Sequence, residues 1–389
     1  MKRPRLKRRG GIGRLAEQLV WLSSGLAESG CRVEDHYWEQ RLGATIDTVL
    51  GNEDEDTLNA ALDQLFSNDG PGYDELADHI ESRVESAAGV SGDHDILLIA
   101  APVLVWSRFR IPATSLSAAT LANLRVHLQA HVLASGTRLA LSDFLFSPDQ
   151  LPQGYCATAG FAALTGRAAL DGLDLHIETE GMPETSQFLS DTRYLLAAVA
   201  VPKGEALFRW QEPDGSRDQA LAQWRNQGGA CLAPLLPGCT LEFILPEAYF
   251  SACRAADKGS RPYSIRASVA FLGTALDVPA ANLRAVIAPF GDTLIEEYRI
   301  GFTQLGRDEV VHGVVWPLLG SEDESVDVPG EIEAMLRECG VGDVRFLDHR
   351  FPLEFCDDCG APMYPSAEGE VAHAEMPEEQ AEQIPRHLH

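Results

Sequence analysis

Three times along this chain an apolar run is followed by an amphipathic segment, a glycine, a second apolar run and a proline. In the first instance residues 96–100 and 138–146 bracket a helical pattern over 117–134, with Gly136 as the stop and Pro148 closing the unit. In the second, 194–201 and 240–245 bracket 218–226, with Gly228 and Gly229 between and Pro246 after. In the third, 311–319 and 344–347 bracket 330–338, with Gly340 between and Pro352 after. Short continuous apolar runs suit strands buried on both faces. A glycine just past a periodic segment suits a helix C-cap. This grammar requires an α/β fold. The first two units have similar lengths, so the pattern reads either as an internal duplication or as the ordinary alternation of strands and helices.

Residues 265–272 and 283–288 read as further strands. Residues 297–304 set Tyr298, Ile300 and Phe302 against Arg299 and Gly301, the alternation of a half-exposed antiparallel strand. Mixed sheets are expected over purely parallel ones. Upstream, Leu15, Leu19, Leu22 and Leu26 recur at helical spacing, as do Leu42, Ile46 and Leu50. The expected organisation is a flexible basic tail at 1–12, a helical region at 13–90 and α/β units at 91–190, 191–300 and 301–355. A cysteine knuckle with an acidic tail at 356–389 completes it.

Charge narrows the partners. The formal charge is -27, although residues 2–9 carry six positive charges and no negative one. The acidic body repels phosphate backbones and anionic lipid. The tail can contact a polyanion electrostatically or serve as a solubilising terminus. The longest apolar run, residues 96–106, contains Pro102 and falls short of the ~18–20 residues a membrane span needs. No apolar segment follows the basic start, so the cytoplasm is the expected location and no membrane is expected as a partner. Eight cysteines spread over 389 residues do not form a disulfide framework.

Cys356-Asp357-Asp358-Cys359-Gly360 is the most specific chemical motif. Two thiolates at this spacing can converge on one Zn²⁺, and the glycine lets the backbone turn over the metal. A second cysteine pair is missing. Cys339, His349 and His373 are the candidates to complete the shell, and His373 lies within reach of a short hairpin. A redox role is disfavoured because Asp357 and Asp358 push a thiol pKa up. Two free thiols in a turn are the plain alternative. His127 and His131 share a helix face but lack a third ligand, and read as ordinary surface or core histidines. Gly11-Ile12-Gly13-Arg14-Leu15-Ala16 matches a dinucleotide fingerprint only formally, since no strand precedes it. The acidic runs 53–56 and 322–324 read as solvated loops, the first helping to start a helix.

Several stretches carry a family resemblance: Met1-Lys2-Arg3, Leu26-Ala27-Glu28-Ser29-Gly30, Glu34-Asp35-His36-Tyr37-Trp38 and Thr57-Leu58-Asn59-Ala60-Ala61-Leu62-Asp63. Residues 355–362, Glu368-Gly369-Glu370 and His373-Ala374-Glu375-Met376-Pro377 complete it. Together they resemble an uncharacterised proteobacterial family catalogued as domain of unknown function 2863. The resemblance spans nearly the whole chain and implies a bacterial cytoplasmic protein, but no activity and no catalytic residues.

From the residues themselves, the expected function is a non-catalytic binding or regulatory protein with a structural zinc knuckle. Two alternatives stand beside it. One is an enzyme with a site assembled at strand ends, from Asp143 and the Asp348-His349 pair. The other is an RNA- or ribosome-associated factor acting through its basic tail.

Overall fold

The computed structural model describes residues 13–87, 90, 92–185, 188–320 and 326–377. The basic segment 2–9 and the acidic run 322–324 lie outside them.

The helical region is a bundle of α1 (Arg14–Ala27), α2 (Arg32–Gly51), α3 (Glu55–Asn68) and α4 (Gly70–Glu85). Leucines and isoleucines at three-to-four spacing, among them Leu19, Leu42, Ile46, Leu58, Leu76 and Ile80, meet in one core. Asp54 caps α3 by accepting from the Thr57 amide, and Asp69 caps α4 by accepting from Gly72. Glu55 does more than sit in a solvated run. Its carboxylate crosses to the start of another helix and accepts from the Tyr155 and Cys156 amides at 2.9 and 2.7 Å. Burial pushes this carboxyl up, but the two amides outweigh it and hold the group below its ordinary value.

The first sheet follows. Its elements are β1 (His94–Trp106), β2 (Thr114–Ser115), α5 (Ala118–His131), β3 (Arg138–Phe146), α6 (Gly154–Asp171) and β4 (Ser190–Pro202). Then come α7 (Arg217–Gln223), α8 (Gly229–Leu232), β5 (Thr240–Phe243), β6 (Glu247–Ala248) and the long α9 (Tyr249–Ala275). The strand order is β2-β3-β4-β1-β5, with β6 beside β1. β4 runs antiparallel to both β1 and β3, and β1 runs antiparallel to β5. Hence β1 and β3 are parallel with β4 between them, and β4 and β5 are parallel with β1 between them. The first two strand–helix–strand units interlock in one sheet, the split β-α-β arrangement of ferredoxin-like folds. α5 and α8, with Trp224 just before α8, lie on one face of this sheet over Val103, Val105 and Leu141. α6 and α9 cover the other with alanines, including Ala162, Ala169, Ala252 and Ala256.

Residues 265–272, expected as a strand, belong to α9. A continuous apolar run does not distinguish a buried strand from a buried helix. Here Ile265, Val269 and Leu272 share the helix face that enters the second core, while Ala252 and Ala256 of the same helix enter the first.

The second sheet comprises β7 (Leu283–Phe290), β8 (Glu297–Gln304), β9 (His312–Pro317) and β10 (Asp343–Phe346), the last reached through α10 (Val328–Glu338). Its order is β10-β7-β8-β9, antiparallel except for β10 on β7. The sheet is mixed, as expected. β8 is not half-exposed, however, because its residues 298–303 are buried on both faces. α9 and α10 cover one face. The C-terminal hairpin β11 (Tyr364–Pro365) and β12 (Val371–Ala372) covers the other. No helix among the described residues is long and apolar enough to cross a membrane.

A titrating carboxylate marks the seam between bundle and sheet. Glu85 ends α4 and accepts from the Phe250 amide of α9 at 3.2 Å. Burial, reinforced by Glu81, pushes its pKa up to about 7 despite that amide and Arg254. A raised carboxyl pKa favours the folded state at low pH. That contribution is lost as pH rises from the ordinary value of 4.5 through about 7, at a cost of up to about 3 kcal/mol. Glu85→Gln keeps the acceptor and removes the charge. It is expected to be more stable than the parent at pH 8, with the advantage shrinking by pH 5. Urea midpoints at the two pH values read this out, and an unchanged difference would show that Glu85 is not the group responsible.

Candidate metal centre

The knuckle is built from local hydrogen bonds. Phe355 and Pro362 form an antiparallel bridge, the Met363 amide donates to Glu354 at 3.1 Å, and the Cys356 amide donates to Ala361 at 2.7 Å. The Gly360 amide returns to the Cys356 carbonyl at 2.8 Å, with Gly360 at φ +73°, the left-handed region glycine adopts freely. This fold-back aims the Cys359 and Asp358 amides at the Cys356 sulfur. They pull its thiol pKa below the ordinary value, and the Cys359 side chain adds to the effect. The expected upward push is present from Asp358 but is outweighed, because amide dipoles in contact with the sulfur act at shorter range than an exposed carboxylate.

The hairpin β11–β12 then brings back the third residue. Tyr364 pairs with Ala372 and Pro365 with Val371, and the Ser366 amide donates to Glu370 at 2.8 Å across the turn. His373 is the next residue and arrives at the knuckle. Its Nε2 lies 3.3 Å from Cys359 Sγ, and its Nδ1 lies 3.2 Å from Glu375 Oε1. The ligand atoms of Cys356, Cys359 and His373 all lie within 4.8 Å of one another. Cys359 is exposed and the other two are half-buried. Glu375 was not anticipated. Its signal was the two-residue spacing from His373, which places both side chains on one side of an extended chain. A carboxylate on the far nitrogen of an imidazole fixes the ring as a metal ligand requires.

The structure does not bring the other candidates here. Cys339 is the C-cap of α10 and packs against the second core. His349 follows β10 and packs on Phe351, ring centroids 4.1 Å apart. His127 and His131 stack at 6.0 Å on α5, and His131 Nε2 meets Gln227. Neither belongs to a ligand group of three among the described residues.

Below the knuckle, β8 supplies its anchor. Arg299 is fully buried. Its Nε donates to Glu297 at 2.5 Å, and one terminal nitrogen donates to the Glu354 and Met363 carbonyls at 2.6 and 2.8 Å. Those carbonyls are the two stems of the knuckle. The guanidinium also faces the Phe290 ring at 4.4 Å and Phe355 at 5.0 Å.

A second polar constellation involves Asp143, expected near a strand end but lying inside β3. It sits where the β3–β4 register shifts between Leu141 and Leu145. Asp143 accepts from the Ile177 amide at 2.8 Å and from His176 Nδ1 at 2.6 Å. This bond raises the His176 pKa above its ordinary value. His176 is on a loop and had no sequence signal. Among the described residues no hydroxyl or thiol hydrogen-bonds to its ring, so the pair orients an exposed imidazole without a nucleophile beside it. Asp348 and His349 lie on the second sheet's side and do not join it.

Fold and site together define a two-sheet α/β protein that carries a Cys-X-X-Cys knuckle and a returning histidine on its second sheet. The profile of the family described as "Protein of unknown function (DUF2863)" matches residues 4–387, and the chain belongs to that family. Comparison with the curated proteins and with the solved structures gave no match.

Proposed function

We propose that this is a non-catalytic binding or regulatory protein of the cytoplasm, in which Zn²⁺ held by Cys356, Cys359 and His373 clamps the C-terminal segment onto the second sheet. The convergence of two sulfurs and an imidazole nitrogen within 4.8 Å carries the reading. Zinc bonds of about 2.3 Å to sulfur and 2.1 Å to nitrogen set tetrahedral S and N atoms about 3.6 Å apart, close to the 3.3 Å between Cys359 and His373. Two soft thiolates and one imidazole suit zinc better than magnesium or calcium. Eight free thiols support a reducing compartment.

The metal's role is to hold. It joins two segments 14 residues apart whose hairpin buries Tyr364 and Ala374 against the sheet. Protein purified without chelator is expected to contain about one zinc per chain by elemental analysis. Cys359→Ser should lose it while keeping the far-ultraviolet dichroism of the parent. Chelation should lower the melting temperature and expose residues 351–377 to protease. Metal-free parent protein with the same melting temperature in chelator would overturn the proposal.

A further inference from the structure

The helical bundle ends in a surface that none of the described residues covers. Leu42, Ile46 and Val49 bury the second half of α2, but residues 32–41 have only Trp38 and Asp35 less than exposed. Trp38 lies over Gly25 of α1, where a Cβ would come within 2.8 Å of the indole. Trp21 meets Trp38 edge-on at 5.2 Å, and Tyr37 meets its other side at 5.2 Å. Trp21 is 56% exposed, Tyr37 47%, and Val33, one turn before Tyr37, 83%. An exposed cluster of tryptophan, tyrosine and an aliphatic residue has the composition of an interface centre, and such contiguous exposed patches mark interaction sites.

Charge selects the occupant. Residues 13–87 carry seventeen acidic and four basic side chains, and Glu34 and Asp35 lie one turn before the rings on α2. Nucleic acid and anionic lipid are repelled by such a surface. A cation is attracted twice, by the carboxylates and by the ring faces. Arg41 already lies 4.5 Å over Tyr37, so a guanidinium fits against this cluster. We infer that the α1–α2 face docks an arginine- or lysine-rich segment of a partner protein, with its cations stacked on Trp21 and Tyr37 and paired to Glu34. This inference stands apart from the metal centre.

The test uses the full chain and a short peptide of alternating arginine and alanine at physiological salt, read by calorimetry. Trp21→Ala and Tyr37→Ala are each expected to weaken binding about ten-fold or more. Both residues are exposed, so the melting temperature should hold. Asp74→Asn with Asp78→Asn removes two acidic charges on α4 and leaves the rings in place, and should change the affinity less than two-fold. If the aromatic variants bind the peptide as the parent does, charge alone attracts it and the inference fails. It also fails if deleting residues 2–9 tightens peptide binding ten-fold, which would make the chain's own basic segment the occupant. Tighter binding of a single-stranded RNA than of the peptide would overturn it as well.

Discussion

Arg299→Met is expected to destabilise the protein by about 3–5 kcal/mol, the cost of breaking a buried ion pair from one side. The substitution keeps a long apolar stem but removes every donor. Glu297 then loses its cation, and the Glu354 and Met363 carbonyls lose the nitrogen that ties the knuckle's two stems to β8. Arg299→Lys should recover little, because an ammonium cannot reach a carboxylate and two carbonyls in the fixed fork of a guanidinium. Adding Glu297→Gln to Arg299→Met should recover part of the loss by neutralising the stranded carboxylate. Urea unfolding measures the stabilities, and zinc titration shows whether the loosened stems also weaken metal binding. A loss under about 1 kcal/mol for Arg299→Met would show that the guanidinium is not the anchor of the knuckle.

Gly301→Ala is expected to unseat the C-terminal hairpin. Gly301 of β8 and Gly313 of β9 are direct cross-strand partners, and together they leave a bare spot on the sheet. The Pro365 carbonyl of β11 occupies the space a Cβ at 301 would take, and the Tyr364 ring occupies that at 313. A backbone carbonyl in a paired strand cannot swing aside as a side chain can. The cost should reach about 3 kcal/mol, the upper range for overpacking a core. Gly313→Ala should cost less, since a ring can tilt. Combining it with Tyr364→Ala should give less than the sum of the two, because the pair shares one contact. Protease sensitivity of residues 351–377 together with melting temperature reads both. An intact hairpin in Gly301→Ala would mean that the sheet shifts to admit the methyl.

These two experiments concern features that local reading of the chain could not reach. Paired glycines are visible in the sequence only after the β8–β9 register is known. The alternation of Tyr298, Ile300 and Phe302 with Arg299 and Gly301 was legible, and so was the antiparallel strand it implied. The same alternation predicts solvent on its polar side. That side faces a hairpin instead, and Arg299 is buried by contacts 55 and 64 residues away. Alternation reports that two faces differ in chemistry, not what covers each. The same ambiguity turned residues 265–272 from an expected strand into part of α9.

The motif that is closest-range in sequence was read most fully. The pair Cys356 and Cys359 with Gly360 encodes its own turn, because the hydrogen bonds that shape it lie within residues 354–363. The helices of the bundle were legible for the same reason, since their periodicity and caps are local. The three repeated units could be counted along the chain, since each strand and helix announces itself within a few residues. That β4 inserts between β1 and β3, and β1 between β4 and β5, depends on pairings that join distant parts of the chain, from Phe146 with Tyr194 to Val103 with Phe243. Only the tertiary structure decided this interlocking, the return of His373 rather than Cys339 to the knuckle, and the burial of Arg299 beneath it. Local conformation is set by neighbours in sequence, whereas strand order and ligand completion are set by which distant surfaces bury each other.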